Sequence, residues 1–380
     1  MHHAYKIMTP GPTQVAENVR LARSLPCTNP DLDEEFVEFY KETCEKISRL
    51  LHTENETLIL GGEGILGLEA ACASLTEPGD QVLVLDNGIY GKGFADFVSM
   101  YGGIPALYTV DDRTPIDVSA LGQFLEKSHG YKYATLVHGD TPSGMLNDIA
   151  KLCPLLKSYG ILTVVDSVSA MFGEEVNVDE AKIDLLCGGS QKVVSAPPGL
   201  TFVTLSADAK KAMNGRKTPI ASFYANLKIF EHYYEEKWFP YTMPVSDIRG
   251  LRTAIDNIEA DRDILKRHAA IGTAARYAVT EAGLSLYLKS GFSNTVTVFE
   301  VPAGVTDRDI LDAMKKDHGI LLAGSFGSLA GKVIRIGHMG ENANVSDMAA
   351  VFGALDQVFD KLGVPLKTSL KDCFVRRAGR

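Results

Sequence analysis

Seven short apolar runs, at residues 57–60, 81–85, 104–110, 134–137, 161–165, 183–187 and 200–205, alternate with stretches of helix length through the first half of the chain. Near-continuous Val, Ile and Leu in such runs belongs to strands buried on both faces, whereas a strand with one wet face alternates apolar and polar positions. The helix-sized spacers supply the crossovers that parallel neighbours need. The pattern predicts a large α/β domain built on a mostly parallel seven-stranded sheet, with helices covering both faces.

After residue 246 the pattern changes. Residues 247–258 and 264–282 read as long helices, and beyond them 294–301, 320–323 and 333–337 read as strands separated by helices at 307–317 and 345–362. This arrangement suits a small α+β domain. We expect a large ligand-binding domain over 16–255 and a small domain over 256–380 that takes in the amino-terminal segment 1–15. Ligands of open α/β sheets bind outside the carboxyl ends of the strands, so the residues that follow each run carry the functional information.

Composition narrows the partners. The formal net charge of −10, with Lys and Arg scattered, leaves no basic footprint for a nucleic acid or an anionic membrane. The six cysteines form no C-x-x-C pair and sit mostly within apolar segments, as thiols of a reducing compartment do, so neither a disulfide framework nor a zinc site is implied. Met1 to Thr13 holds no apolar stretch of signal-peptide length, no run is long enough to span a bilayer, and the cytoplasm is the expected location. His2 and His3 read as a solvated end. Small molecules are the expected partners.

Five of the runs end in polar or glycine-rich turns. Leu60 leads into Gly61-Gly62-Glu63-Gly64 and then a helical stretch, a turn that presents free backbone N–H groups and the positive end of a helix to an anion, although many α/β turns look the same. Asp166 closes a very apolar run, where a carboxylate needs a cation or solvent. A protonated pyridine nitrogen would serve, and so would a helix N-cap role. Gly188-Gly189-Ser190-Gln191-Lys192 precedes the rigid, apolar 193–199 segment, which desolvates a lysine and favours its free amine for imine formation. Tyr90, in Asn87-Gly88-Ile89-Tyr90-Gly91, offers a ring to stack on a flat ligand or to cover a helix end. The segment from His138 to Gly144 offers hydroxyls and a carboxylate, and reads equally well as a structural turn.

Taken together these segments resemble the class V aminotransferases of the alanine-glyoxylate and serine-pyruvate branch. The resemblance runs from Thr9-Pro10-Gly11-Pro12-Thr13 almost to the carboxyl end, through Gly67-Leu68-Glu69-Ala70-Ala71, Asp166-Ser167-Val168-Ser169, Ser190-Gln191-Lys192, Ala196-Pro197-Pro198-Gly199 and Arg335-Ile336-Gly337. It implies the type I fold of transferases that depend on pyridoxal 5′-phosphate (PLP). By this resemblance Lys192 holds the cofactor as a Schiff base, Asp166 binds the ring nitrogen, Tyr90 stacks on the ring, and Gln191 with the Gly62, Glu63 and Gly64 turn holds the phosphate. Thr141 and Val168 complete the cofactor-binding set. Arg335 grips the substrate carboxylate, a task suited to a planar two-pronged guanidinium. Thr242 reaches the phosphate of a neighbouring subunit, which implies a homodimer with shared active sites.

The implied activity is a ping-pong transfer of an amino group between a small amino acid, such as alanine or serine, and a small 2-oxo acid, such as glyoxylate or pyruvate. Within the branch, Tyr90-Gly91-Lys92-Gly93-Phe94, Asp140-Thr141-Pro142-Ser143-Gly144 and Arg335-Ile336-Gly337-His338-Met339-Gly340 are similar to pyridoxamine-pyruvate aminotransferases, which act on the unphosphorylated vitamin. Two positions depart from that group: Phe326 stands nine residues before Arg335 in place of a second arginine, and Gln191 supplies a glutamine that the group lacks. Glu63 bears on the same choice, because a carboxylate aimed into the phosphate cup would repel the phosphate. Either Glu63 points away, toward the ring hydroxyl or the substrate, or the site takes an unphosphorylated ligand; Gln191 and Thr242 favour the first, and the matching Glu of the pyridoxamine-pyruvate group favours the second. A cysteine desulfurase is disfavoured by Tyr90 at the stacking position and by the lack of cysteine between Cys187 and Cys373. A cofactor-free binding protein on the same fold is disfavoured by Lys192 and Asp166 together.

Overall fold

A computed structural model describes residues 5–379, so His2 and His3 lie outside the described residues. Its strands are β1 (Lys6–Ile7), β2 (Glu56–Gly61), β3 (Gln81–Asp86), β4 (Ile104–Thr109), β5 (Tyr133–Val137), β6 (Gly139–Asp140), β7 (Met145–Leu146), β8 (Leu162–Asp166), β9 (Leu185–Gly189), β10 (Leu200–Leu205), β11 (Val296–Glu300), β12 (Ile320–Leu321) and β13 (Val333–Gly337). All seven runs of the first half become strands of one sheet, in the order β2-β10-β9-β8-β5-β3-β4. Pairing is parallel except at β10, which runs antiparallel to both neighbours. The carboxyl ends of β2, β5, β8 and β9 therefore share one edge, and the start of β10 joins them.

Burial explains the composition of the runs. β5, β9 and β10 are buried at every position, whereas β4, at the sheet edge, alternates between exposed and half-buried residues. The run that begins at residue 183 enters the sheet two residues late. Lys182 is left-handed, and the Asp184 carboxylate turns to accept the backbone N–H of Thr163 at 2.9 Å, so the ladder starts at Leu185.

The apolar interior divides. One cluster runs from Ala16 to Ile258, with Met339 added, and surrounds the large sheet. A second gathers Met8, residues of the helix Ile264–Glu281 and the apolar positions from Phe299 to Phe374. There β11 pairs with β13 antiparallel, and β1 joins β12, so the amino-terminal segment lies with the carboxyl-terminal elements. The helices Asp307–His318 and Val345–Lys361 form where the periodicity predicts them, and the former carries a capping box from Thr306 and Asp309. The helix Leu370–Ala378, capped by Ser369, was not anticipated from the pattern. Among the described residues no helix is long and apolar enough to cross a membrane.

Candidate active site

Lys192 sits in the loop that turns β9 back into antiparallel β10. The loop is closed by its own hydrogen bonds, from Ser190 Oγ to the Pro197 carbonyl at 2.6 Å and from Ala196 N to the Ser190 carbonyl at 3.0 Å. From it the Lys192 side chain enters a cavity of about 210 Å³ at the carboxyl edge of the sheet. Its amine donates to the Pro10 carbonyl at 2.8 Å. Desolvation brings its pKa down to about 8, against the opposing pull of Asp166. A lysine so placed has an accessible neutral amine near physiological pH.

Asp166, at the end of β8, is 5% exposed. One carboxylate oxygen accepts Val168 N at 2.9 Å. No helix follows Asp166, so it does not serve as an N-cap; the chain enters irregular turns instead. Burial raises its pKa to about 7, and the Val168 N–H and Lys192 lower it only in part. A desolvated carboxylate with this pKa fits a cationic partner, which a ring N–H would provide. Tyr90, Thr141 and Val168 line the same cavity. Tyr90 is carried by the first turn of the helix Ile89–Met100 and is half-buried. These residues fit a flat, protonated pyridine ring.

The glycine turn is less simple. Gly64 begins the helix Gly64–Leu75, and both Gly64 and Glu63 line the cavity, while Gly62 packs against Leu66 outside the lining. Glu63 is the N-cap: its carboxylate accepts Ile65 N at 3.1 Å and Gln191 Nε2 at 2.9 Å. Its carboxylate is thus turned onto the glycine turn and Gln191 rather than away from them, because the helix N-terminus and the Gln191 amide both attract an anion. Among the described residues the buried Gln191 Oε1 atom has no hydrogen-bond partner.

Arg335, on β13, comes from the second half of the chain. Its Nε donates to the Gly324 carbonyl at 2.5 Å and its NH1 to that of Thr141 at 3.4 Å. The guanidinium pairs with no carboxylate among the described residues, and lies 5.8 Å from the ring of Phe326. That ring, 42% exposed, meets Tyr90 edge-on at 6.0 Å between centroids. Thr242 is not brought to the cleft of its own chain: it is exposed and bonds Asp31 at 3.4 Å.

Sequence reasoning missed three participants. Gly11 lies against the lysine so closely that a Cβ on it would stand 2.3 Å from Lys192 Nζ, and its φ of +105° is itself a glycine conformation. Pro10 accepts the Lys192 amine. Asp140, 1% exposed, caps the turn that carries Thr141 through Ser143 N at 3.1 Å and Ser143 Oγ at 2.5 Å. The Thr9 to Thr13 motif and the His138 to Gly144 segment were visible, but nothing in them said which neighbour each would face.

Three comparisons bear on this geometry. The family model described as aminotransferase class-V matches residues 20–335. The chain is 33% identical to the pyridoxamine–pyruvate transaminase of Mesorhizobium japonicum over 88% of its length and 87% of the relative's. It is 30% identical to the alanine–glyoxylate aminotransferase of Callithrix jacchus, over 92% of this chain and 86% of that one. Among solved structures, the ureidoglycine-glyoxylate aminotransferase of Bacillus subtilis superposes with a TM-score of 0.96 at 27% identity, covering 100% of this chain and 99% of that one. With Lys192 and the buried Asp166 meeting in one cavity at the sheet edge and the family model covering most of the chain, the chain belongs to the class V aminotransferases, enzymes of the PLP-dependent type I fold whose cofactor is pyridoxal 5′-phosphate.

Proposed function

We propose that this enzyme transfers an amino group between a small amino acid of the alanine or serine type and a small 2-oxo acid such as glyoxylate or pyruvate, in two half-reactions of a ping-pong cycle. The observation that carries the reading is Arg335: a half-buried guanidinium, held by the carbonyls of Gly324 and of Thr141, a residue that lines the cavity of Lys192, and without a carboxylate partner among the described residues. An unpaired cation in such a place is a waiting site for an anion, and the α-carboxylate is the group that amino acid and 2-oxo acid share.

Bound PLP supplies the carbonyl that takes up the amino group and the ring that accepts electrons. Asp166 would hold the proton on the ring nitrogen, and Tyr90 and Val168, which line the same cavity, would pack against the ring. Thr141 is placed for the ring hydroxyl. Arg335 would orient the substrate so that its Cα proton faces Lys192, whose amine, with a pKa of about 8, would serve as the base that takes that proton. Phe326 is an apolar wall at the substrate end, which favours small side chains. Thr242 serves the site of a second copy, and exposed Leu25, Leu32, Phe223 and Trp238 suit a homodimer interface. A panel of L-amino acids tested against glyoxylate and pyruvate checks the reading; no turnover with any small neutral donor would sink it.

A second reading has a specific observation behind it: the Glu63 carboxylate engages Ile65 N and Gln191 Nε2, the donors a phosphate would use. On this reading, free pyridoxamine is an amino donor. Including it in the same panel decides the matter.

A further inference from the structure

The loop that carries Lys192 and the strand that carries Arg335 belong to different halves of the chain, yet they are pinned together at the turn that follows β13. Ser195, 5% exposed, holds a left-handed backbone with φ +56°, which non-glycine residues rarely adopt. Its N–H donates to the Lys192 carbonyl at 2.9 Å, so the strained residue closes the turn that begins at the lysine. Its hydroxyl oxygen accepts Glu341 N at 2.9 Å, from the turn just after β13. The backbones meet so closely there that a Cβ on Gly340 would lie 1.9 Å from Ser195 Oγ and 2.4 Å from the Val193 carbonyl oxygen.

His268 braces the other side of that turn. Its Nδ1 lies 2.7 Å from the Ile264 carbonyl, which can only accept, so Nδ1 carries the proton and Nε2 is free to accept Gly340 N at 3.0 Å. The imidazole is fully buried, and burial lowers its pKa to about 4, so it remains neutral and keeps this pattern near neutral pH. The amino-terminal segment ties the same two parts again: Thr13 Oγ1 donates to the Lys192 carbonyl at 2.9 Å, and Gln14 N to Asn342 Oδ1 at 3.1 Å.

We propose that Ser195 and His268 are positioning residues that fix the spacing between Lys192 and Arg335, through the turn at Gly340 and Glu341. The proposal rests on the reading of Arg335 as the carboxylate site. The chemistry demands such a device: the carboxylate and the proton to be removed are both carried by the substrate Cα, so the groups that serve them must be held to a fraction of an ångström. A displacement of about 1 Å far from the reacting atoms can cost about a hundredfold in rate. Strain at Ser195 is consistent with a position that the surroundings over-determine.

The test uses the holoenzyme and three readouts: the single-turnover rate with L-alanine, followed by the bound cofactor's absorbance; the inhibition constant of propionate, which offers a carboxylate but no amine; and cofactor content. Ser195→Ala should lower the rate on the order of tenfold, while propionate inhibition and cofactor content stay within about twofold of wild type. Ser195→Gly, which eases the backbone but lacks the hydroxyl, should lose as much, and Ser195→Asn, which tolerates the left-handed region and restores an acceptor oxygen, should recover part of the rate. His268→Phe should give the same split as Ser195→Ala. An unchanged rate in Ser195→Ala, or a rate loss matched by an equal loss of propionate affinity and cofactor, overturns the proposal. Propionate inhibiting Arg335→Lys as strongly as wild type would overturn the carboxylate reading itself, and the spacing proposal with it.

Discussion

The side-chain amide of Gln191 donates to the Glu63 carboxylate at 2.9 Å, and the same carboxylate caps the helix Gly64–Leu75 through Ile65 N. On the proposed phosphate site, the chain's own anion engages two donors that the phosphate would use, and phosphate binding would displace it or share them. Like charges at such close range oppose one another, and an exposed carboxylate such as Glu63 does so only modestly because solvent screens it. Glu63→Gln should therefore strengthen the apo-protein's affinity for PLP several-fold while changing its affinity for free pyridoxal little. Titration of both ligands by absorbance checks this. Equal changes for the two would mean that Glu63 does not meet the phosphate.

Lys192→Ala should lower turnover by about 10²–10⁴-fold or more, the range expected for loss of a positioned base, and remove the lysine-linked absorbance of the bound cofactor. The fold should survive, because the half-buried lysine adds little to either apolar core. Circular dichroism alongside the kinetics separates loss of chemistry from loss of structure.

Asp166 gives a pH signature in the cofactor-free protein. Its pKa in the fold is about 7 against an ordinary 3.8, so between those values the folded state binds more protons than the unfolded state. Stability contributed by this group is fully present below about 3.8 and is lost as pH rises toward and through 7. Asp166→Asn removes the titration. Thermal unfolding of the apo-proteins should show the variant gaining on wild type as pH rises from 5 to 8; parallel curves would show that burial does not perturb the carboxylate. The same variant should retain cofactor poorly, since the ring nitrogen loses its anionic partner.

Arg335→Lys should raise KM for amino acid and 2-oxo acid alike, on the order of tenfold, because a point charge replaces a two-pronged contact to their common carboxylate. Phe326→Arg places a second cation beside the first and should shift preference toward dicarboxylic amino acids, measured as the ratio of kcat/KM for aspartate to that for alanine. A ratio that does not move would locate the side-chain pocket away from Phe326.

The seven runs, their order along the chain and the chemistry at their ends were legible in the sequence because burial on both faces leaves continuous apolar segments and forces polar residues to the ends. Lys192, Asp166, Tyr90, Thr141 and Val168 meet at one edge for that reason: each follows or closes a run, and the runs point the same way. The antiparallel course of β10 was not legible, since apolar content does not record direction. Nor was the place of Arg335, which reaches the cleft only because β13 packs through Met8, Gly337 and Gly340 against the amino-terminal segment and the lysine loop. Glu63 shows the limit most plainly. The sequence placed it in the glycine turn, and only the packed structure decided that its carboxylate would seat on Ile65 N and Gln191. Local pattern fixes which residues reach the sheet edge, whereas the direction a side chain takes there depends on partners far away in sequence, whose contacts exist only once the two apolar cores have formed.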